Sequence, residues 1–460
     1  MRDGSHQTSL ARRSVHGLPS TADRRDGHDL AVVIPAWNEA ANLEHLLPVL
    51  RQTLDDLALR ADVVVVDGGS TDDTLSVAHR HGARLAAQRE AGYGAALAAG
   101  FAGTVAPFVI TMDADLSHRP VFLADFWRRR GEADVLIASR YVAGGSATVG
   151  QGRRVASRVL NRTFGHLLGL PQCDLSSGFR MYRREVLDDV AFRARDFDAL
   201  QEILIRAVNR GFRVSEVPFH YHPRQYGRSH VRIVRFGWAY ARTLLRMWRL
   251  RNSTAAPDYD WRAFDSPVWL QRYWQRARHR VVLGFVDDPS SVLDIGCGSS
   301  RIIADLPAAI GLDLAHTKLR WLRARHGRLV QGNALSLPCR SGAFRTVICS
   351  QVIEHLPNVP DLWDAIDRVL APGGTLILGT PDYGRPLWHV IERVYGALLP
   401  GAYAGEHITR YTRRTLVDRL STLGYEVLKV RYVGACELIV KARKPVTGGT
   451  AGSGLPLARG

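Results

Sequence analysis

Short apolar runs that end in acidic or glycine residues recur in two separate parts of the chain. In the first part, Leu30–Ile34 and Val63–Val66 are rich in β-branched residues, and the stretch between them, Asn42–Leu57, has apolar residues at helical spacing. Such runs, separated by amphipathic helices, are typical of strands buried in a parallel sheet. The same alternation starts again at Val292–Ile295. The sequence therefore predicts two α/β domains in succession.

The predicted domain boundaries follow from local composition. Residues 28–252 form the first domain and residues 286–444 the second, and residues 253–285 form a polar linker followed by an aromatic, basic helix. Residues 1–27 lack the apolar stretch of a secretory signal, and residues 445–460 are rich in small residues, so we expect both to be disordered tails. Further strands are predicted at Arg84–Ala87, Phe108–Met112, Val135–Ala138, Ile310–Leu312, Thr346–Cys349 and Thr375–Leu378.

The segment Ala91–Met112 is uncharged over 22 residues, which is long enough to cross a bilayer. It is mostly alanine and glycine, contains Pro107, and is followed at once by Asp113. These features favour a short helix followed by a buried strand over a membrane span.

Cysteine content and charge limit the classes of function. The 460 residues include five cysteines without a CxxC pair, so we expect neither a disulfide framework nor a cysteine zinc site. A reducing compartment is the simpler expectation. The formal net charge is +17, and all but four of the 61 basic residues are arginine. Because the basic excess is spread over both halves, it does not by itself indicate a nucleic-acid partner.

Three predicted strands of the first domain end in polar clusters. These are PAWNE (35–39), DGGS (67–70) and DAD (113–115). Ligands of an open parallel sheet bind beyond the carboxyl ends of its strands, so we expect the clusters to share one crevice. Two carboxylates one residue apart suit Mg²⁺ or Mn²⁺ held against a diphosphate.

Further motifs downstream identify a family. They are SRYVAGG (139–145), DLSSGFR (174–180), EVP (216–218) and RQYGRSH (224–230). Together with the three clusters, and in this order, they resemble the inverting family 2 glycosyltransferases of the GT-A fold, in the branch of the polyprenol (dolichol) phosphate mannosyltransferases. The resemblance covers about Leu30–Arg235. It implies a nucleotide-sugar donor, with GDP-mannose favoured, and a polyprenyl phosphate acceptor whose anionic oxygen needs no general base.

The resemblance also implies roles for individual residues. A catalytic role is implied for Asp113, Asp115, Arg140 and Arg224, of which the two aspartates would also hold the metal ion. Contact with the acceptor phosphate is implied for Arg140, for Arg153 or Arg154, and for His230, which replaces the usual lysine. Donor binding is implied for Pro35, Ala36, Glu39, Asp67, Asp113, Ala114 and Asp115.

The stretch Arg224–Arg251 contains eight arginines and no acidic residue. Six of the arginines share one face of a predicted helix, and apolar and aromatic residues share the other. One interpretation is an interfacial helix that binds an anionic membrane surface. The other is a helix that packs its apolar face on the first domain and leaves its arginines in solvent.

The second domain opens with a strand that runs into a glycine turn, VLDIGCGS (292–299), and Asp313 follows a second strand. The later motifs are GNALSLP (332–338), CSQVIEHL (349–356) and LAPGGTL (370–376). The pattern resembles the class I S-adenosylmethionine-dependent methyltransferases, with a Rossmann-like fold, over about Val281–Lys441. This resemblance implies that the cofactor is bound by Asp294, Gly296, Cys297, Gly298, Asp313, Asn333, Ala334 and Ser350.

The methyl acceptor is less determined by the sequence. His355 and His407 are candidate general bases, or structural histidines. Residues 349–351 lack the Asn/Asp-Pro-Pro-Tyr motif of amino-group methylation of bases, and no nucleic-acid partner is expected. We therefore expect a bifunctional cytoplasmic enzyme, peripheral on the inner face of the cell membrane, that transfers a hexose and methylates a sugar or glycolipid metabolite. The alternatives are a glycosyltransferase for a saccharide or natural-product hydroxyl with a coupled O-methyltransferase, and a nucleic-acid methyltransferase with an inactive first domain.

Overall fold

The computed structural model describes residues 27–148, 151–223, 233–398 and 407–446. Its first half contains, in chain order, β1 (Leu30–Ala36), α1 (Ala40–Asp56), β2 (Ala61–Asp67), α2 (Thr74–Arg80), β3 (Arg84–Ala87), α3 (Tyr93–Ala102), β4 (Phe108–Thr111), α4 (Leu123–Arg129), β5 (Val135–Ser139), β6 (Ser146–Ala147), α5 (Gln151–Leu168), β7 (Arg180–Arg183), α6 (Arg184–Asp189), α7 (Ala199–Asn209), β8 (Val214–Pro218), β9 (His220–Tyr221) and α8 (Ile233–Arg251).

The second half continues with α9 (Tyr259–Phe264), α10 (Trp269–Leu283), β10 (Val292–Ile295), α11 (Arg301–Ala304), β11 (Ile310–Asp313), α12 (His316–Leu322), β12 (Leu329–Gln331), β13 (Phe344–Ser350), α13 (Pro360–Val369), β14 (Leu370–Pro381), α14 (Pro386–Leu398), α15 (Arg413–Thr422), β15 (Glu426–Val433) and β16 (Glu437–Arg443).

The first domain is built on a seven-stranded sheet in the order β3-β2-β1-β4-β7-β5-β8. Strand β7 is antiparallel to both neighbours, and the other pairings are parallel. Leu30–Ile34 at the centre of the sheet are fully buried, because helices cover both faces. Strands β2, β1 and β4 therefore deliver the residues that follow them to one edge, as the sequence predicts.

The uncharged segment Ala91–Met112 forms helix α3 and strand β4, which confirms the expected helix and buried strand. A Cβ atom on Gly100 would lie 2.3 Å from a methyl group of Val33, so the small residues let α3 lie directly on the sheet. In the described ranges, no helix has both the length and the apolar character that crossing a bilayer requires.

The second domain has its own seven-stranded sheet, in the order β12-β11-β10-β13-β14-β16-β15. The first five strands in this order, β12, β11, β10, β13 and β14, are parallel, and β16 runs antiparallel to both β14 and β15. Hydrophobic clusters fill both sides of this sheet. The two predicted α/β domains are confirmed, and the carboxyl ends of β10, β11 and β13 meet at one edge.

The segment predicted to be a polar linker is packed between the domains. Arg251, at the end of α8, is fully buried and donates to both carboxylate oxygens of Asp258 at 2.8 and 2.7 Å. Farther along, the Arg320 guanidinium lies 2.9 Å from Asp189 Oδ2 and covers the ring of Phe212. These contacts join the second domain to the first.

Candidate active sites

The loops after β1 and β2 are tied together by hydrogen bonds between side chains and backbone amides. Asp67, at the end of β2, accepts from the amides of Gly69 at 2.9 Å and Ser70 at 3.2 Å. Asn38 Oδ1 accepts from the Thr71 amide at 2.8 Å. The predicted donor residues therefore lie at one edge of the sheet: Pro35 and Ala36 end β1, Asp67 ends β2, and Glu39 follows β1, with Pro35 and Glu39 half-buried.

The DAD cluster follows β4 on the same edge, and Ala114 is buried between two half-buried aspartates. The Tyr93 hydroxyl donates to Asp113 Oδ1 at 3.1 Å, and Ser117 donates to Asp115 Oδ1 through its amide at 3.1 Å and its hydroxyl at 2.5 Å. A Cβ atom on Gly178 would lie 3.3 Å from Asp113 Oδ1, so this glycine keeps the space beside the carboxylate open. Two carboxylates next to such a space fit the predicted Mg²⁺ or Mn²⁺.

Two residues of this site, Tyr93 and His118, were not predicted from the sequence. Tyr93 stacks on Phe197 with ring centroids 4.6 Å apart, and His118 Nδ1 accepts from the Asp113 amide at 3.0 Å. His118 is buried, and burial lowers its pKa despite the nearby carboxylates, so the ring is a neutral acceptor. The signal available in the sequence was a histidine three residues after Asp115.

Arg140 is held in place by a carboxylate. Its Nε and Nη2 atoms each lie 2.7 Å from a separate oxygen of Asp174, and Nη2 also donates to Ser176 Oγ at 2.8 Å. Glu216 in turn accepts from the amides of Cys173 and Asp174, both at 2.8 Å. The motifs SRYVAGG, DLSSGFR and EVP therefore meet around one guanidinium group.

The other predicted acceptor-phosphate residues are only partly covered. Arg154 is exposed on α5. Arg224, His230 and the side chain of Arg153 lie outside the described residues.

In the second domain, the glycine turn after β10 has the backbone conformation that only glycine adopts easily. Gly296 and Gly298 have φ values of +68° and +55°. A Cβ atom on Gly296 would lie 2.3 Å from Val352 Cγ2, so the turn and the segment after β13 are in direct contact. Asp313 accepts from the Gly298 amide at 2.8 Å. Buried Cys297 packs below the turn.

The remaining predicted cofactor residues surround this turn. Asp294 is buried, and burial and the charge of Asp313 raise its pKa to about 8. Asn333 Oδ1 accepts from the amide two residues later, beside buried Ala334. Ser350 Oγ and Gln351 Nε2, at the end of β13, are buried atoms without hydrogen-bond partners. Such atoms fit a polar ligand bound at this edge.

Asp260 is a further residue beside the glycine turn, and its position was not predicted from the sequence. It belongs to α9 in the predicted linker, yet its Oδ2 atom lies 3.3 Å from Ser299 Oγ and 3.4 Å from Lys318 Nζ. A Cβ atom on Gly298 would lie 2.9 Å from the same oxygen. No spacing rule relates Asp260 to the glycine turn, so only the fold shows this contact.

A cavity of about 90 Å³ opens beside the end of β13. We call it the acceptor cavity. Most of its lining residues belong to α10 and α14, and Gln351 and His407 also line it. Its lining residues are Tyr259, Leu270, Gln271, Trp274, Gln275, Arg278, Gln351, Trp388, Ile391, Glu392 and His407. His355 and His407, the two candidate bases, have ring centroids 4.9 Å apart. Burial and, to a lesser extent, the charge of His355 lower the pKa of His407 to about 4.

The described part of the basic helix packs its apolar face on the first domain. Tyr240 and Met247 are buried in a core cluster, with Leu244 and Trp248 against it. Arg246 pairs with buried Glu202 at 2.7 Å, whereas Arg242 and Arg249 are exposed. Arg228, Arg232 and the side chain of Arg235 lie outside the described residues.

Comparison with known proteins gives the family. The family model described as "Glycosyl transferase family 2" matches residues 31–191. The dolichyl-phosphate hexose transferase of Haloferax volcanii is 32% identical over 196 residues, which are 43% of this chain and 84% of that protein. The polyprenol monophosphomannose synthase of Mycolicibacterium smegmatis is 34% identical over 220 residues, which are 43% of this chain and 79% of that protein.

The chain belongs to glycosyltransferase family 2. In this family 2 glycosyltransferase, residues 268–430 match a second family model, described as "Methyltransferase domain". The chain is thus an enzyme with two transferase domains, and α10 lies within the methyltransferase match. A solved structure of glucosyl-3-phosphoglycerate synthase from Mycobacterium tuberculosis, with Mn²⁺, uridine diphosphate and glucosyl-3-phosphoglycerate, is 22% identical to this chain. It aligns with a TM-score of 0.39 over 48% of this chain and 81% of that chain.

Proposed function

We propose that the first domain transfers a hexose, with mannose favoured, from a nucleotide sugar to polyprenyl phosphate with inversion. The observation that carries this proposal is the meeting of Asp67, Asp113 and Asp115 on one sheet edge, in a domain that is similar to two polyprenyl-phosphate glycosyltransferases. GDP-mannose is the favoured donor. The name of the Mycolicibacterium smegmatis relative, a polyprenol monophosphomannose synthase, supports mannose as the sugar.

The chemistry follows from the charges of the site. An acceptor phosphate is already anionic at neutral pH, so the site must position two anionic substrates and stabilise the departing diphosphate. Asp113 and Asp115 would hold Mg²⁺ or Mn²⁺, which supplies charge stabilisation for that diphosphate. Arg140 would bind the acceptor phosphate with the N–H groups that Asp174 does not occupy, together with Arg224, His230 and Arg153 or Arg154.

The proposed role of the second domain is transfer of a methyl group from S-adenosylmethionine to a sugar or glycolipid. Asp294, the turn around Cys297, Asp313, Asn333 with Ala334, and Ser350 would bind the cofactor. A glycolipid acceptor is supported by the aromatic wall of the acceptor cavity and by exposed apolar residues on α10 and α14. These are Trp269, Leu270, Tyr273, Leu387, Val390 and Val394.

We further propose that the enzyme works at the inner face of the cell membrane, where exposed arginines of α8 attract anionic lipids.

To test the glycosyl transfer, the full chain is incubated with short-chain polyprenyl phosphate and, in turn, labelled GDP-mannose, GDP-glucose and UDP-glucose. Label in a butanol-soluble, mild-acid-labile lipid that depends on GDP-mannose is expected. Label in a free saccharide instead supports the alternative acceptor. In a parallel incubation with labelled S-adenosylmethionine and nucleic acid, nuclease-sensitive methyl incorporation supports the nucleic-acid alternative.

A further inference from the structure

Glu354, His355 and His407 bring one carboxylate and two imidazoles together, and His407 also lines the acceptor cavity. One ligand atom from each residue lies within 4.8 Å of the others. The amides of Ile408 and Thr409 donate to the carbonyl oxygen of Glu354 at 2.8 and 3.0 Å. These bonds fix the segment that carries His407 against the turn that carries Glu354, so the backbone itself builds the cluster.

Glu354 is the unusual member of this cluster. Glu354 is 0% exposed, and neither of its carboxylate oxygens has a hydrogen bond of normal geometry, although the Thr380 hydroxyl lies near enough to favour the ionised form. Burial of a carboxylate is costly unless the group is hydrogen-bonded, paired with a cation or bound to a metal ion. The two carboxylate oxygens of Glu354 therefore lie buried beside two histidines, in a position where they could bind a metal ion.

Hydrogen bonds around His407 set its tautomer. The Tyr383 hydroxyl donates its single proton to Glu392 Oε1 at 2.9 Å, and its oxygen lies 2.6 Å from His407 Nδ1. Tyr383 must then accept from His407, so Nδ1 carries the ring proton and Nε2 keeps its lone pair. A histidine held in this way by an outer hydrogen bond is the form that binds metal ions.

We propose that Glu354, His355 and His407 bind a divalent transition-metal ion of the Zn²⁺ type. Two imidazoles and one carboxylate are a ligand set that suits Zn²⁺ and leaves a further coordination position open. Val352 touches the glycine turn at Gly296, so the site lies on the side of the predicted cofactor. An acceptor oxygen would thus find the cation and the methyl donor on the same side.

The role of the cation rests on the proposed methyl transfer to a sugar hydroxyl, whereas the binding of the cation does not. A bound metal ion lowers the pKa of a coordinated hydroxyl group. The acceptor oxygen then forms the O–CH₃ bond while the S–CH₃ bond of the cofactor breaks, and the hydroxyl proton passes to solvent water.

The test uses Co²⁺ as a coloured probe and the full chain with Asp113→Asn and Asp115→Asn, which removes the other predicted cation site. We expect one tightly bound Co²⁺ per chain with visible absorption. Glu354→Gln or His407→Gln should weaken binding about 100-fold, and Tyr383→Phe about 10-fold. His389→Gln, which removes an exposed histidine of α14, is the matched control and should bind Co²⁺ like the parent.

Binding of S-adenosylmethionine, measured by calorimetry, shows that each variant is folded. If Glu354→Gln does not fold, the half-exposed His355→Gln takes its place. No Co²⁺ binding by the parent, or equal binding by the folded variants, overturns the site. Metal binding that is intact in a chain without glycolipid methylation would instead overturn the proposed methyl acceptor and leave the metal site standing.

Discussion

Arg140 and Asp174 form a two-point ion pair in which the carboxylate is fully buried and the guanidinium is 17% exposed. Removal of one member of a buried pair leaves an uncompensated charge. We expect Asp174→Asn to lower the free energy of unfolding by about 3 kcal/mol, as measured by urea denaturation. Asp188→Asn, which removes a surface partner of Arg184, should cost less than about 1 kcal/mol. Equal losses in the two variants would contradict this expectation, because the buried pair would then matter no more than the surface pair.

The same pair predicts an effect of acid. Burial opposes ionisation of Asp174, but the hydrogen bonds and charge of Arg140 outweigh it and hold its pKa below the ordinary 3.8. The stability that it contributes is therefore present above that value and is lost as the pH falls through the folded pKa. Wild type and Asp174→Asn should converge in unfolding free energy as the pH is lowered below 3.8. A constant difference down to full protonation would contradict this assignment.

Asp294 predicts the opposite dependence on pH. Burial, and then Asp313, raise its pKa from 3.8 to about 8. Folding therefore takes up a proton between these values, and stability falls by about 1.4 kcal/mol per pH unit until the folded pKa is passed. Asp294→Asn removes this loss. Melting of the second domain without cofactor should favour the variant increasingly from pH 5 to pH 8, and parallel curves would refute the assignment.

The contact between Gly296 and Val352 predicts a rescue. Gly296→Ala places a Cβ atom 2.3 Å from a Val352 methyl group and a non-glycine residue at a φ of +68°. We expect this variant to lose binding of S-adenosylmethionine in calorimetry, and the added change Val352→Ala to recover part of it. Gly327→Ala meets nothing within 4 Å and should bind normally. Normal binding by Gly296→Ala would show that the turn does not contact the cofactor.

The proposed membrane attachment through the exposed arginines of α8 can be tested by charge reversal. Arg242→Glu with Arg249→Glu should reduce sedimentation with anionic vesicles, because each basic residue near such a surface contributes about 1 kcal/mol. Arg413→Glu with Arg414→Glu makes the same change of charge on exposed positions of α15 and serves as the control. Equal retention of both variants on vesicles would exclude α8 as the docking surface.

The strands and the polar clusters after them could be predicted, because periodicity and chain order alone bring them to one sheet edge. The partners of particular charges could not. Arg242, Arg246 and Arg251 look equivalent in the sequence, yet the first is exposed, the second pairs with Glu202 and the third is buried against Asp258. Glu202 is distant from Arg246 in the sequence, and the turn that brings Asp258 to Arg251 is set by tertiary packing, so neither pairing could be predicted.

The ion pair between Arg251 and Asp258 spans the boundary that composition places near residue 252. A chain cut there would leave a buried guanidinium in one fragment and its counter-ion in the other. The two halves are therefore not interchangeable modules. Separate inheritance of the two domains would require compensating changes at this boundary, and inactivation of one predicted site within the intact polypeptide is the way to test each proposed reaction.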